Sequence, residues 1–185
     1  VLGLGTWGIG GFMETDFSND EKSIQAIKDA IDLGYTHIDT AELYGDGHSE
    51  ELIGKAIKDL DRSKLIITSK VFKTNLKYDD VIASCKKSLE KLQTDYIDIY
   101  LIHIPNQEIP LEETMRAMDY LVEQKLVRYI GVSNFSVEEM KEAQKYSKNK
   151  IVANQIPYNL ATRNKNHRGS CINMESEIIP YCQEN

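Results

Sequence analysis

Ile97-Asp98-Ile99-Tyr100-Leu101-Ile102-His103 is a largely apolar run of strand length that closes on a histidine. Four other runs share that build: Thr36-His37-Ile38-Asp39, Leu65-Ile66-Ile67-Thr68-Ser69-Lys70, Tyr129-Ile130-Gly131-Val132-Ser133-Asn134 and Ile151-Val152-Ala153-Asn154-Gln155. Each is nearly continuous in apolar residues rather than alternating, as expected of a parallel sheet buried on both faces. Each also ends in a polar residue of a kind that catalysis or cofactor binding uses. Strands that alternate with helices and present polar residues at their carboxyl ends build an active site on one rim of a β/α barrel.

The segments between the runs have helical spacing. Ser18 and Glu21 read as a capping box before Ile24, Ile27 and Ile31, with Gly34 as the stop. Ser49 opens a second helix bearing Leu52, Ile53, Ala56, Ile57 and Leu60 on one face. Asp79 or Asp80 opens a third, with Val81, Ile82, Cys85, Leu89 and Leu92. Pro110 leads into Met115, Met118, Leu121 and Val122, and Ser136 with Glu139 forms a second capping box before Met140 and Ala143. With the opening Val1-Leu2-Gly3-Leu4-Gly5-Thr6-Trp7, six βα units follow one another at about 30 residues each, without a linker or a low-complexity stretch. The reading is one partial β/α-barrel domain over residues 1–185.

A closed barrel of this type has eight units and about 250 residues. A chain of 185 residues that starts inside a strand without Met and stops in or after a sixth helix implies a smaller open sheet or two further units elsewhere. Six units leave the first and sixth strands as edges, and open edges invite self-association. Asn164 to Ser170 is the most loop-like stretch, expected as a mobile rim loop.

Composition narrows the function. A net charge of −7, with basic residues interleaved among acids as at Lys86-Lys87 and Glu90, argues against nucleic acid. No apolar run approaches a membrane span, and no signal peptide precedes Val1. Three cysteines without a CxxC spacing point to a reducing compartment, hence the cytoplasm. The four histidines show no zinc-ligand spacing, so no metal is expected. Gly3-Leu4-Gly5-Thr6-Trp7-Gly8 matches G-x-G-x-x-G, but Ile9-Gly10-Gly11 follows where a dinucleotide fingerprint would start a helix. Gly5, Thr6 and Trp7 read instead as a strand end that supplies backbone and an indole wall to the rim.

The stretch Gly34-Tyr35-Thr36-His37-Ile38-Asp39-Thr40-Ala41-Glu42-Leu43-Tyr44-Gly45 resembles the G-[YF]-x-x-[IL]-D-T-A-x-x-Y-G signature of the aldo-keto reductases. The resemblance continues through Thr68-Ser69-Lys70-Val71, Tyr100-Leu101-Ile102-His103, Gly131-Val132-Ser133-Asn134-Phe135 and Asn154-Gln155-Ile156, in order along almost the whole chain. It implies a TIM-type (β/α)₈ barrel that binds NADPH, with NADH as the alternative, and reduces aldehydes or ketones to alcohols. By matching position, the catalytic residues are Asp39, Tyr44, Lys70 and His103, with Tyr44 the proton donor, and Ser133, Asn134 and Gln155 bind the nicotinamide carboxamide. Asp39, Gly5, Thr6 and Trp7 complete the expected cofactor site. Tyr44-Gly45-Asp46-Gly47-His48-Ser49-Glu50-Glu51 resembles the Y-G-x-G-x-S-E-E branch, which includes the potassium-channel β subunits. A non-catalytic nucleotide-binding regulatory subunit is therefore the alternative function, and an unrelated barrel isomerase a third.

The residue types suit that chemistry. An ammonium beside a phenol favours the phenolate and so eases proton donation, and a carboxylate beside the lysine keeps it charged in a dry site. Imidazole supplies a hydrogen bond as charge develops on the carbonyl oxygen. Trp7, Met13, Phe72 and the loop Pro105-Asn106-Gln107-Glu108-Ile109-Pro110 are the expected walls of an apolar substrate pocket. The elements that hold the adenosine 2′-phosphate in the family lie beyond Asn185, so NADP preference is implied by the resemblance alone.

Overall fold

A computed structural model describes residues 2–160 and 173–185. Six strands form one parallel sheet in the order β1-β2-β3-β4-β5-β6: β1 Gly3–Gly5, β2 His37–Asp39, β3 Ile66–Val71, β4 Ile97–Ile102, β5 Val127–Ser133 and β6 Ile151–Gln155. Most of β3, β4 and β5 is buried, in keeping with their apolar runs, while Ile66, Arg128 and Tyr129 toward the amino ends of β3 and β5 are exposed. β1 and β6 are the edges of the sheet. Five helices alternate with the strands: α1 Asp20–Asp32, α2 His48–Ile57, α3 Tyr78–Leu92, α4 Leu111–Glu123 and α5 Val137–Tyr146. After β6, a π-turn over Met174–Ile178 runs into the short α6, Ile179–Glu184. The expected loop Asn164 to Ser170, and Cys171, lie outside the described residues.

The core fills the space between sheet and helices. Ile38, Ile67, Ile102, Ile130 and Val132 of the strands pack with Leu52, Ile53, Val81, Met115, Met118 and Met140 of the helices, all buried. Cys85 belongs to this core, as its place on an apolar helix face implies. Gly54 allows α2 to lie close against the end of α3, because a Cβ there would meet the Lys91 carbonyl.

Helix starts follow local chemistry unevenly. Ser136 accepts from the Glu139 backbone N–H at 3.2 Å while the Glu139 carboxylate accepts from Ser136 N–H at 2.8 Å, so the expected capping box forms. The one expected at Ser18 and Glu21 does not. Ser18 N–H is taken by the Asp16 carboxylate at 2.9 Å, and α1 begins after Asn19 with no side-chain cap. Its first residue, Asp20, is instead tied sideways to His48 at 2.8 Å. Ser49 lies inside the first turn of α2 rather than capping it, and Leu60 falls beyond that helix and is exposed.

The amino-terminal end of the sheet, opposite the site, is locked by one buried acid. Asp98 accepts from Arg62 at 2.7 Å, from the Ile67 N–H at 2.9 Å and from Arg128 at 3.0 Å. Both guanidinium groups also lie over the Tyr96 ring, 4.3 and 4.0 Å from its centroid. A single residue thereby fixes the relation of β3, β4 and β5.

Candidate active site

The carboxyl ends of the strands bring the expected residues together. Asp39 closes β2, Lys70 lies near the end of β3, His103 follows β4, and Tyr44 stands on a short helical turn, Tyr44–Gly47, between β2 and α2. That turn depends on glycine. Gly45 has φ +57°, and a Cβ there would run into the Gly10 carbonyl, so the loop before α1 and the tyrosine turn can touch only without a side chain. The contact is sealed by Gly45 N–H on Phe12 O at 2.8 Å and by Thr15 Oγ1 on Gly45 O at 2.9 Å.

Lys70 is fully buried and its Nζ has three acceptors: Thr40 O at 2.7 Å, Asp39 Oδ2 at 2.9 Å and Tyr44 Oη at 3.3 Å. An ammonium has three protons and no lone pair. The Tyr44 oxygen must therefore accept from the lysine, and its own proton can be donated only away from it. Burial pushes the Lys70 ammonium below its ordinary value, while the Asp39 carboxylate pulls it back. The tyrosine ring is held edge-on by Trp7, centroids 4.8 Å apart, and by His103 at 5.8 Å. Phe72 packs on the other partner, 5.9 Å from the His103 ring.

The residues expected to meet a cofactor surround this group. Ser133 Oγ donates to Gln155 O at 3.0 Å, and Asn134 Nδ2 donates to His103 O and to Ser133 Oγ, both at 2.9 Å. Gln155 Nε2 reaches Asp39 Oδ1 at 3.0 Å, joining β6 to β2 across the mouth. Asn134 sits at φ +63°, which turns its amide back over the strand ends. Thr6 is buried and donates to Asp39 O at 3.0 Å, Trp7 is about 41% exposed beside Tyr44, and Gly5 faces open space. The G-x-G-x-x-G stretch contains no helix; Gly8 has φ +92° and α1 starts only at Asp20. No group of three metal-ligating side chains occurs among the described residues.

Two expectations need revision. Met13 is more than half exposed on the loop before α1. The loop Pro105 to Pro110 lines a cleft of about 330 Å³ with Leu76, Thr114, Phe135 and Glu139, and none of the four catalytic candidates lines it. Asn106 ties that loop to Lys73 O, in the segment between β3 and α3, at 2.9 Å.

Sequence reading also missed two supports. Thr40 Oγ1 donates to Ser49 Oγ at 3.3 Å, and Ser49 donates to Thr6 Oγ1 at 2.9 Å, a hydroxyl chain ending on the Asp39 carbonyl. Behind β3, Glu50 is buried and accepts from Ser69 at 2.6 Å. Its burial was hidden because two acids in a first helical turn ordinarily face solvent.

The model of the Aldo/keto reductase family matches residues 1–185. The chain belongs to that family. It is similar to the thermostable aldo-keto reductase Tm1743, solved with the inhibitor epalrestat, at 52% identity and a TM-score of 0.92 over 99% of this chain and 64% of that one. An aldo/keto reductase from Klebsiella pneumoniae, solved with NADP and acetate, is 36% identical with a TM-score of 0.84, covering 98% and 59%. Methylglyoxal reductase YeaE of Escherichia coli (strain K12) is 36% identical over 185 residues, all of this chain and 60% of the relative. The aldo/keto reductase chain thus spans about three-fifths of the length of these relatives, and its six strands correspond to part of their barrel. No described helix is long and apolar enough to cross a membrane.

Proposed function

We propose that the protein reduces the carbonyl of a small aldehyde or ketone to an alcohol with NADPH, or less readily NADH, as the hydride source. The observation that carries this reading is the Lys70 hydrogen-bond set, which commits the Tyr44 oxygen as an acceptor and turns its proton outward.

Asp39, Thr40 O and Tyr44 take the three ammonium protons, so the lysine cannot swing toward substrate and acts by charge alone. An ammonium at this distance eases release of the phenolic proton as the carbonyl oxygen becomes an alkoxide. His103, held edge-on by Tyr44 and Phe72, stands beside that oxygen and adds a hydrogen bond. The donor set at the ends of β5 and β6 fits a nicotinamide carboxamide, because the Asn134 and Gln155 amides and the Ser133 hydroxyl offer both donors and acceptors there. Trp7 supplies the adjoining aromatic surface. The nicotinamide, when bound, supplies hydride to the carbonyl carbon; the proton comes from Tyr44. The names of the relatives, methylglyoxal reductase among them, and the NADP-bound neighbour support a small oxoaldehyde as the substrate class and NADPH as the cofactor.

Trp7 is the only tryptophan and adjoins the site, so its fluorescence reports occupancy. Titration with NADPH should quench it in a saturable way, and NADH should bind more weakly. An unquenched Trp7, together with no NADPH oxidation in the presence of methylglyoxal, would contradict the proposal.

A further inference from the structure

One buried acid beside this site has no part in the reading so far. Glu50, in the first turn of α2, is about 1% exposed. Its Oε1 accepts from Ser69 Oγ at 2.6 Å, and its Oε2 has no hydrogen-bond partner among the described residues. Ser69 precedes Lys70 on β3, so their side chains point to opposite faces of the strand. The carboxylate therefore lies behind the strand whose front carries the lysine. Both groups are shielded from solvent, and a field between buried charges is weakened far less by water than one between surface charges.

We propose that Glu50 is a positioning residue for the Lys70 ammonium, a second carboxylate behind β3 that, with Asp39 in front, holds the lysine charged beside Tyr44. The groups facing Glu50 allow this. Glu42, on the segment after β2, already accepts from the Phe72 N–H and from Asn75. On α3, Lys91 is bound to Asp46 O at 2.9 Å and to Glu51 at 3.4 Å, Lys87 is exposed, and burial raises the Cys85 thiol to about 12. On β4, burial holds the Tyr100 phenol well above its ordinary value, so it stays neutral. The buried cation that gains from Glu50 is Lys70, and the carboxylate opposes the burial that would discharge it. Glu50 also lines a cavity of about 210 Å³ between α2 and α3, through which protons can reach it. Because burial raises the carboxyl to about 7, its charge changes near neutrality and the support to Lys70 changes with it.

This inference rests on the reductase reading for its consequence in catalysis, but not for its test. The Lys70 titration can be followed by NMR in protein carrying 13Cε-lysine, the signal being assigned by its absence in Lys70→Met. Glu50→Gln keeps the shape and can still accept from Ser69, while Glu50→Asp keeps the charge. The Lys70 midpoint should lie lower in Glu50→Gln than in wild type, while Glu50→Asp should stay close to wild type. The pH profile of kcat for NADPH-dependent reduction should narrow from its alkaline side in Glu50→Gln alone. Coincident Lys70 midpoints in wild type and Glu50→Gln would overturn the inference, whether or not the protein turns over. Absence of turnover in wild type, with the midpoints still separated, would count against the reductase reading alone.

Discussion

Replacing Glu50 by glutamine should change how stability depends on pH. In the unfolded chain the carboxyl ionises near its ordinary 4.5; in the fold, burial defers ionisation to about 7, against the help of the Ser69 hydroxyl. Below 4.5 both states hold the proton and the group is neutral to stability. Between 4.5 and about 7 the native state holds a proton that the unfolded state has released, so stability falls as pH rises. Above about 7 the full cost is present, and the gap between the two values corresponds to about 3 kcal/mol. Glutamine cannot ionise. Any fixed penalty from its amide is the same at every pH and cancels when one variant is compared with itself. Urea unfolding of wild type and Glu50→Gln at pH 5 and pH 8 should show the wild type losing about 2–3 kcal/mol more than the variant across that interval. Equal losses in the two proteins would refute the reasoning, because they would mean that Glu50 meets solvent in the fold.

Asp98→Ala should lower unfolding stability by about 3 kcal/mol, since it removes the carboxylate that Arg62 and Arg128 share and leaves the Ile67 N–H without that acceptor, yet NADPH affinity should be unchanged because the site is at the other end of the strands; urea melts and the Trp7 titration check the two halves. Ser136→Ala should cost about 1 kcal/mol by removing the capping box of α5, read as a lower urea midpoint with an unchanged slope. Gln155→Ala should weaken NADPH binding several-fold while sparing the fold, because its amide reaches Asp39 from an exposed strand end; equal affinity would remove Gln155 from the cofactor site.

The strands and their order were legible because each run is apolar enough to be buried on both faces, and because the polar residue at each end marks the rim. Asp39, Lys70 and His103 stood out as polar residues closing apolar runs, whereas Tyr44, and the grouping of the four, rested on the resemblance to the aldo-keto reductase signature. Starts of helices were less legible. Ser18 and Glu21 have the spacing of a capping box, but Asp16 takes the Ser18 N–H, and the pull of His48 on Asp20 is a contact 28 residues away in sequence. Asp98 reads as one polar interruption in a strand, and nothing local shows that Arg62 and Arg128 converge on it. The loop Pro105 to Pro110 follows a catalytic strand, which suggested a pocket wall; its tie to Lys73 is tertiary and has no sequence signal.

The central claim is that Tyr44, held by Lys70, donates the proton that completes carbonyl reduction. NADPH oxidation with methylglyoxal, followed by absorbance for wild type and Tyr44→Phe, tests it most directly. The account predicts a fall in kcat of at least about 100-fold in the variant, with NADPH still quenching Trp7 as in wild type. Turnover by Tyr44→Phe close to that of wild type would contradict it, and equal inactivity of both with intact NADPH binding would favour a non-catalytic nucleotide-binding subunit.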